Sequence, residues 1–221
     1  MARTTKQLVA AFMELSTPTV SDALDKMEIK CGCEGLKPII EGKKFVGPAF
    51  TVRFGPRGSV KTKAGDFIDD AKEGEVIVID NGGRKYCTVW GDILTNVAVA
   101  KKLAGTVIDG VCRDVDGIRE LGYPMYTKGY FMVTGKDRVE CKAVGEPVSI
   151  CNVLVCPGDL VMADDSGVLI IPGDKAEEVL ENALIIKSAE EKIVEATKAG
   201  LTLAEARKKF KYDTLQRPEN K

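Results

Sequence analysis

Histidine is absent from all 221 residues, and that absence removes whole classes of chemistry. Without imidazole there is no Ser-His-Asp or Cys-His nucleophile system, and no zinc site with imidazole ligands. A general base must come from Asp, Glu, Lys, Tyr, Cys or water, and a hard cation must sit on oxygen. An excess of one charge is missing too: 32 basic and 33 acidic residues give a formal net charge of −1. A nucleic-acid binder would carry a basic excess and a basic stripe, so no such partner is expected. No apolar run approaches the roughly 20 residues that span a bilayer. The opening stretch MARTTKQLVAAFMELST carries Lys6 and Glu14 and has no long apolar core. Neither a membrane span nor a signal peptide is expected.

The seven cysteines are an odd number scattered along the chain, which reads as reduced thiols in a cytoplasmic protein. Cys31-Gly32-Cys33 is too tightly spaced for a zinc knuckle and reads as loop or core thiols. Hydrophobic residues at 44% and charged residues at 29% are the balance of an ordinary globular chain. The length suits one domain over residues 1–221, with a C-terminal helical extension over about 174–215.

Residues 6–27 read as helical, interrupted near Pro18, with Thr19, Ser21 and Asp22 as capping groups. Residues 44–54 read as extended and are broken by Gly47-Pro48; a polar helix is expected near 63–71. Residues 75–80 form a short apolar run stopped by Asn81-Gly82-Gly83, the pattern of a buried strand and a turn. A strand over 86–90, a helix over 93–103 ended by Gly105, and a strand over 106–109 describe a βαβ unit. A short helix over 115–121 follows. Further strands are expected at 131–133, 149–155 and 168–171, with turns at 157–159 and 164–167. A long charged helix over 174–199 keeps Val179, Ala183, Ile186 and Ile193 on one face. Its length suits wrapping a neighbouring subunit.

The βαβ unit places two polar segments on one sheet edge. Gly91-Asp92-Ile93-Leu94 opens the helix, with Asp92 as N-cap and helix-start N–H groups free for an anionic oxygen. Arg113-Asp114 lies just past the next parallel strand, so both segments emerge at the carboxyl edge, where α/β sheets bind ligands. Each is common by itself as plain capping or as a surface ion pair. Their convergence points to a site.

The run GDILTNVAVAKKLAGTVIDGVCRDVDGIRELGYPMY resembles the core signature of the RraA-like family. That family includes class II 4-hydroxy-4-methyl-2-oxoglutarate aldolases and regulators of ribonuclease E activity. The resemblance extends to Thr19-Val20-Ser21-Asp22-Ala23-Leu24, to residues 47–52 and to residues 157–172, spanning about 15–200. It implies an α/β swivelling-type ββα sandwich with a central βαβ unit and a long C-terminal helix, assembled as homotrimers or dimers of trimers. It further implies that Arg113 contacts a pyruvyl substrate and stabilises its enolate, while Asp114 holds Mg²⁺, Mn²⁺ or another divalent cation largely through water. The backbone of Gly91, Asp92, Ile93 and Leu94 binds the substrate, and Asp92 lies near a bound water. A neighbour's C-terminal helix adds an acid near the metal; Glu191 matches by position, with Glu190 the alternative. One departure stands out: the family acid three positions after the metal Asp is Gly117 here, with Asp116 adjacent.

The activity so implied is a metal-dependent pyruvate aldolase and oxaloacetate decarboxylase, cleaving a C–C bond of a 4-hydroxy-2-oxo acid. A Schiff-base lysine, Lys85 or Lys101, is the mechanistic rival. A non-catalytic regulator that binds an RNA-processing enzyme is the alternative function, and an enzyme acting on another metal-chelating keto or hydroxy acid is a third.

Overall fold

The computed structural model describes residues 3–58 and 66–215. Two helices, α1 (Thr5–Met13) and α2 (Thr17–Lys26), precede the short β1 (Lys37–Pro38) and the long β2 (Phe45–Pro56). A 3₁₀ turn at Asp66–Asp70 leads to β3 (Val76–Thr88), α3 (Asp92–Ala100), β4 (Gly105–Val111), α4 (Val115–Glu120) and β5 (Met125–Thr127). Then come β6 (Val139–Val144), β7 (Val148–Ile150), β8 (Val153–Val155), β9 (Leu160–Asp164) and β10 (Gly167–Ile171). The chain closes with α5 (Ala176–Lys198), α6 (Leu203–Lys209) and α7 (Tyr212–Leu215).

Strands β2, β3, β4 and β5 are parallel neighbours, and the 3₁₀ turn, α3 and α4 fall between them in sequence. Strand β2 pairs antiparallel with β9 along residues 45–48 and with β6 along 52–56. The sheet therefore bends along β2 and nearly closes on itself. Alternation along the strands then sorts side chains into three cores. Val76, Val78, Val107, Val161, Ala163, Val168 and Ile170 meet inside the curl with the β7–β8 hairpin. Their alternates Ile77, Ile79 and Ile108 face α3 and α4, while Leu160, Met162, Leu169 and Ile171 face α1, α2 and α5. Strands buried on both faces carry no polar alternation, which is why they read as continuous apolar runs.

Several expectations change. The cap of α2 is Ser16, whose hydroxyl oxygen accepts the Thr19 N–H; Pro18 falls in the first turn, where its missing N–H costs nothing. Residues 63–65 of the expected polar helix lie outside the described residues; the remainder is the 3₁₀ turn, with Phe67 and Ile68 buried. The two strands expected at 75–80 and 86–90 are one element, β3, whose register against β4 jumps from Asp80↔Asp109 to Arg84↔Gly110 to Thr88↔Val111. Gly82 and Gly83, at φ 58° and 69°, take the left-handed turn that makes the first bulge. Residues 131–133 form no strand: 129–134 is a strap paired with the sheet by isolated bridges, Cys112↔Tyr130 and Thr88↔Thr134, and by hydrogen bonds to the Thr88 and Thr127 hydroxyls.

Candidate active site

Both site segments are turns that leave parallel strands at the same edge. After β3, Val89 and Trp90 run into α3; after β4, Cys112, Arg113 and Asp114 run into α4. The Arg113 N–H donates to the Trp90 carbonyl at 3.0 Å, which locks the two turns side by side. Asp114 adopts a left-handed backbone, φ 57° and ψ 41°, a conformation Asp tolerates better than most residues. Its carboxylate reaches the start of α3, where Oδ2 accepts the Asp92 N–H at 3.1 Å and stands 3.4 Å from Arg113 Nε.

Gly91, not Asp92, is the N-cap of α3. A Cβ at residue 91 would fall 2.5 Å from Asp114 Oδ2 and 3.2 Å from Arg113 Nε, so only glycine lets the turns meet this closely. Asp92 is the first helical residue, and its Oδ1 accepts the Ile93 N–H at 2.8 Å. Two of the helix-start amides are thus already held by the chain's own carboxylates. Leu94 is the one whose N–H has no partner among the described residues.

Residues 91–94 and Arg113, but not Asp114, line a cavity of about 320 Å³. Residues 91–94 and Arg113 form one wall, Phe54, Val89, Trp90 and Val139 an apolar floor, and Thr134-Gly135-Lys136 the opposite rim. That rim continues from the strap over 129–134, whose composition suggests a strand and whose lack of periodicity gives no sign of a cavity rim. Burial pushes the Cys112 thiol up to about 11, so it stays protonated at neutral pH and is no base. Neither rival lysine lines the cavity. Lys85 is exposed on the β3 bulge, and Lys101 donates to the Asp69 carbonyl at the far end of α3. Lys136 is the lysine that does line it.

Asp116 does not replace the acid missing at Gly117. Its side chain is fully exposed and pairs with Arg119 at 3.7 Å. A Cβ at residue 117 would stand 3.8 Å from the Asp92 Cβ, an ordinary contact, so a side chain here would pack beside Asp92. On α5, Glu191 is exposed, while Glu190 is half-buried and its Oε1 accepts the Tyr212 hydroxyl at 3.4 Å. Burial raises the Glu190 carboxyl above its ordinary range, and the Tyr212 bond only partly offsets this. Within one chain, the described residues contain no group of three His, Cys, Asp or Glu side chains able to hold a metal.

The family model described as RraA-like, Aldolase/RraA, matches residues 17–170. The chain belongs to the RraA-like family. It is 40% identical over 213 residues to Protein DlpA of Legionella pneumophila, covering 95% of this chain but 35% of that protein. The chain thus spans about a third of that relative's length. It is 30% identical over 183 residues to the protein named "Putative 4-hydroxy-4-methyl-2-oxoglutarate aldolase" of Halalkalibacterium halodurans, covering 83% of this chain and 85% of that one. Among solved structures, Streptomyces coelicolor RraAS2, a member of the RNase ES inhibitor RraA protein family, superposes with a TM-score of 0.80. It is 30% identical, over 86% of this chain and 97% of that one. The mixed α/β architecture with a nearly closed sheet and a long C-terminal helix is the RraA fold. No helix among the described residues is long and apolar enough to cross a membrane.

Proposed function

We propose that this RraA-like chain is a divalent-metal-dependent class II aldolase. It cleaves a 4-hydroxy-2-oxo acid such as 4-hydroxy-4-methyl-2-oxoglutarate and also decarboxylates oxaloacetate, both through a pyruvate enolate. The observation that carries the reading is the junction of Arg113, Asp114 and the start of α3, from which Arg113 and residues 91–94 line one cavity while Asp114 stands behind them. The donor set suits a hard cation. Asp114 commits Oδ2 to Asp92 and Arg113, and Oδ1 has no hydrogen bond among the described residues. One carboxylate with water completing the shell is a common magnesium arrangement. The charges agree as well: Asp92 and Asp114 balance Arg113 and Lys136, so an anionic keto acid gains from an added divalent cation. Asp114 would hold that cation, with Glu191 of a neighbouring subunit as a second acid. When bound, the cation supplies Lewis-acid polarisation of the keto group.

The chain's own residues supply the rest. Arg113 places a fixed guanidinium against the oxygen on which enolate charge develops, the largest demand of either cleavage. The Leu94 N–H offers a backbone donor to the substrate. Asp92 orients the water that takes the hydroxyl proton as the C–C bond breaks and returns a proton to the enolate carbon. The apolar floor excludes bulk water and strengthens these interactions. We place the protein in the cytoplasm as a homotrimer or dimer of trimers. Tyr86, Ile93, Tyr130 and Met132, all more than half exposed, support an assembled state, since monomers rarely leave such apolar area uncovered.

The test is pyruvate release from 4-hydroxy-4-methyl-2-oxoglutarate and from oxaloacetate, with Mg²⁺ and with EDTA. Turnover should vanish in EDTA and return with Mg²⁺. Turnover that survives EDTA and is trapped by borohydride refutes the metal mechanism. The likeness to RraAS2 favours a second reading, a non-catalytic regulator of an RNA-processing enzyme. No turnover, together with a stable complex with such an enzyme, would decide for it.

A further inference from the structure

Beneath the site runs a buried hydrogen-bond relay that this mechanism does not use. Trp90, the chain's one tryptophan, is 2% exposed, and its indole N–H donates to Thr95 Oγ1 at 2.9 Å. An indole only donates, so the direction of the relay is fixed and the Thr95 hydroxyl must send its own proton onward. That proton goes to the Gly91 carbonyl at 2.9 Å. The same carbonyl already accepts the Thr95 N–H at 3.1 Å, so the first turn of α3 closes without the hydroxyl. Thr95 is fully buried, and Trp90 is held flat against Tyr123, with ring centroids 6.3 Å apart and planes 4° from parallel.

The consequence lies in the planarity of one peptide. The Gly91 carbonyl and the Asp92 N–H belong to the same rigid unit, so fixing the oxygen fixes the aim of the N–H. That N–H holds the Asp114 carboxylate. Gly91 has no Cβ to restrict its torsions, so the aim of this peptide depends on the bonds to its carbonyl, of which the Thr95 hydroxyl supplies one and the Thr95 N–H the other.

We infer that Thr95 is a positioning residue: through the Gly91–Asp92 peptide it sets the Asp114 carboxylate and orients the start of α3 for substrate. The role rests on the proposed reading of this cavity as the active site. Trp90 serves both segments, since its side chain acts on Gly91 through Thr95 while its carbonyl holds Arg113.

The test compares Thr95→Val, which keeps the shape and removes the hydroxyl, with Thr95→Ser, which keeps the hydroxyl. In Thr95→Val, Trp90 emission should shift and the Asp92 amide should exchange with deuterium faster, both measured on the metal-free protein. Calorimetric Mg²⁺ affinity should fall about tenfold, the scale of one lost hydrogen bond, and the turnover loss should fall on kcat more than on KM. Thr95→Ser should restore all four. Unchanged Asp92 exchange, Mg²⁺ affinity and kcat in Thr95→Val would overturn the positioning role. Wild-type protein that neither binds Mg²⁺ nor releases pyruvate would overturn the reading of the site itself, and the inference with it. If Thr95→Val fails to fold, Trp90→Phe cuts the relay one step earlier and is judged by the same measurements.

Discussion

Replacing Gly91 with alanine adds a single methyl group where two turns touch. Residue 91 is extended, at φ −154° and ψ −164°, so alanine takes this backbone without strain and the effect comes from the collision. The new Cβ would stand 2.5 Å from Asp114 Oδ2, about 1 Å inside the roughly 3.5 Å of van der Waals contact. Something must yield. The Asp114 carboxylate is the softer side, and moving it breaks its bond to the Asp92 N–H, a charged hydrogen bond worth about 1.5–3 kcal/mol. Asp114 is more than a third exposed and regains water, so the stability loss should be about 1–2 kcal/mol. Activity should suffer more, because displacing a catalytic group by about 1 Å can cost about 100-fold. Urea unfolding followed by circular dichroism gives the first quantity, and coupled pyruvate release with Mg²⁺ calorimetry gives the second. A variant that keeps wild-type kcat/KM and wild-type Mg²⁺ affinity would refute this account of why glycine stands here.

Asp114→Asn retains an oxygen acceptor for Asp92 and a residue at ease in the left-handed region, but removes the charge; stability should change by less than about 1 kcal/mol. Mg²⁺-dependent turnover should nevertheless fall by about 100-fold or more, and retained turnover would move the cation elsewhere. Arg113→Lys keeps the positive charge and loses the planar fork, so kcat should drop roughly 100-fold with Mg²⁺ affinity little changed; a loss within about fivefold would show that charge alone suffices. At the other end of the fold, burial works to raise the Asp164 carboxyl, but the hydroxyl and N–H of Thr17, the Ser166 N–H and Lys44 outweigh it and hold it below its ordinary range. A carboxyl depressed in the folded state binds fewer protons than when unfolded. Its stabilisation is therefore complete above the unfolded value of about 3.9 and disappears as pH falls through the folded value. Asp164→Asn should lose about 1–2 kcal/mol at neutral pH and flatten that acid limb in urea unfolding; parallel pH profiles for the two proteins would contradict this.

The elements with a buried face were legible in the chain. The βαβ unit, the long C-terminal helix and the β9–β10 turn follow from periodicity and turn chemistry, because burial of one face imposes a repeat on neighbouring residues. The pairing of Gly91-Asp92 with Arg113-Asp114 was legible too, since parallel strands must present their following turns at the same edge. Where no repeat exists, composition misleads. The strap over 129–134 resembled a strand in composition, yet its partners are single residues at the ends of β3 and β4. The bulges in β3 resembled a turn between two strands, because the bonds that rejoin them to β4 come from more than 20 residues away.

By itself, then, the sequence determined which chemistry is open to this protein: no imidazole, balanced charge, and an arginine and a carboxylate beside a helix start. Tertiary structure alone decided how those groups divide their bonds. It moved the cap from Asp92 to Gly91, turned Asp114 back onto α3, left Leu94 as the helix-start amide without a partner among the described residues, and set Thr95 between the indole and the Gly91 carbonyl. The physical reason is range. Propensity and periodicity act over a few neighbours along the chain, whereas the hold of Asp114 on Asp92 joins residues 22 apart through the packing of two turns.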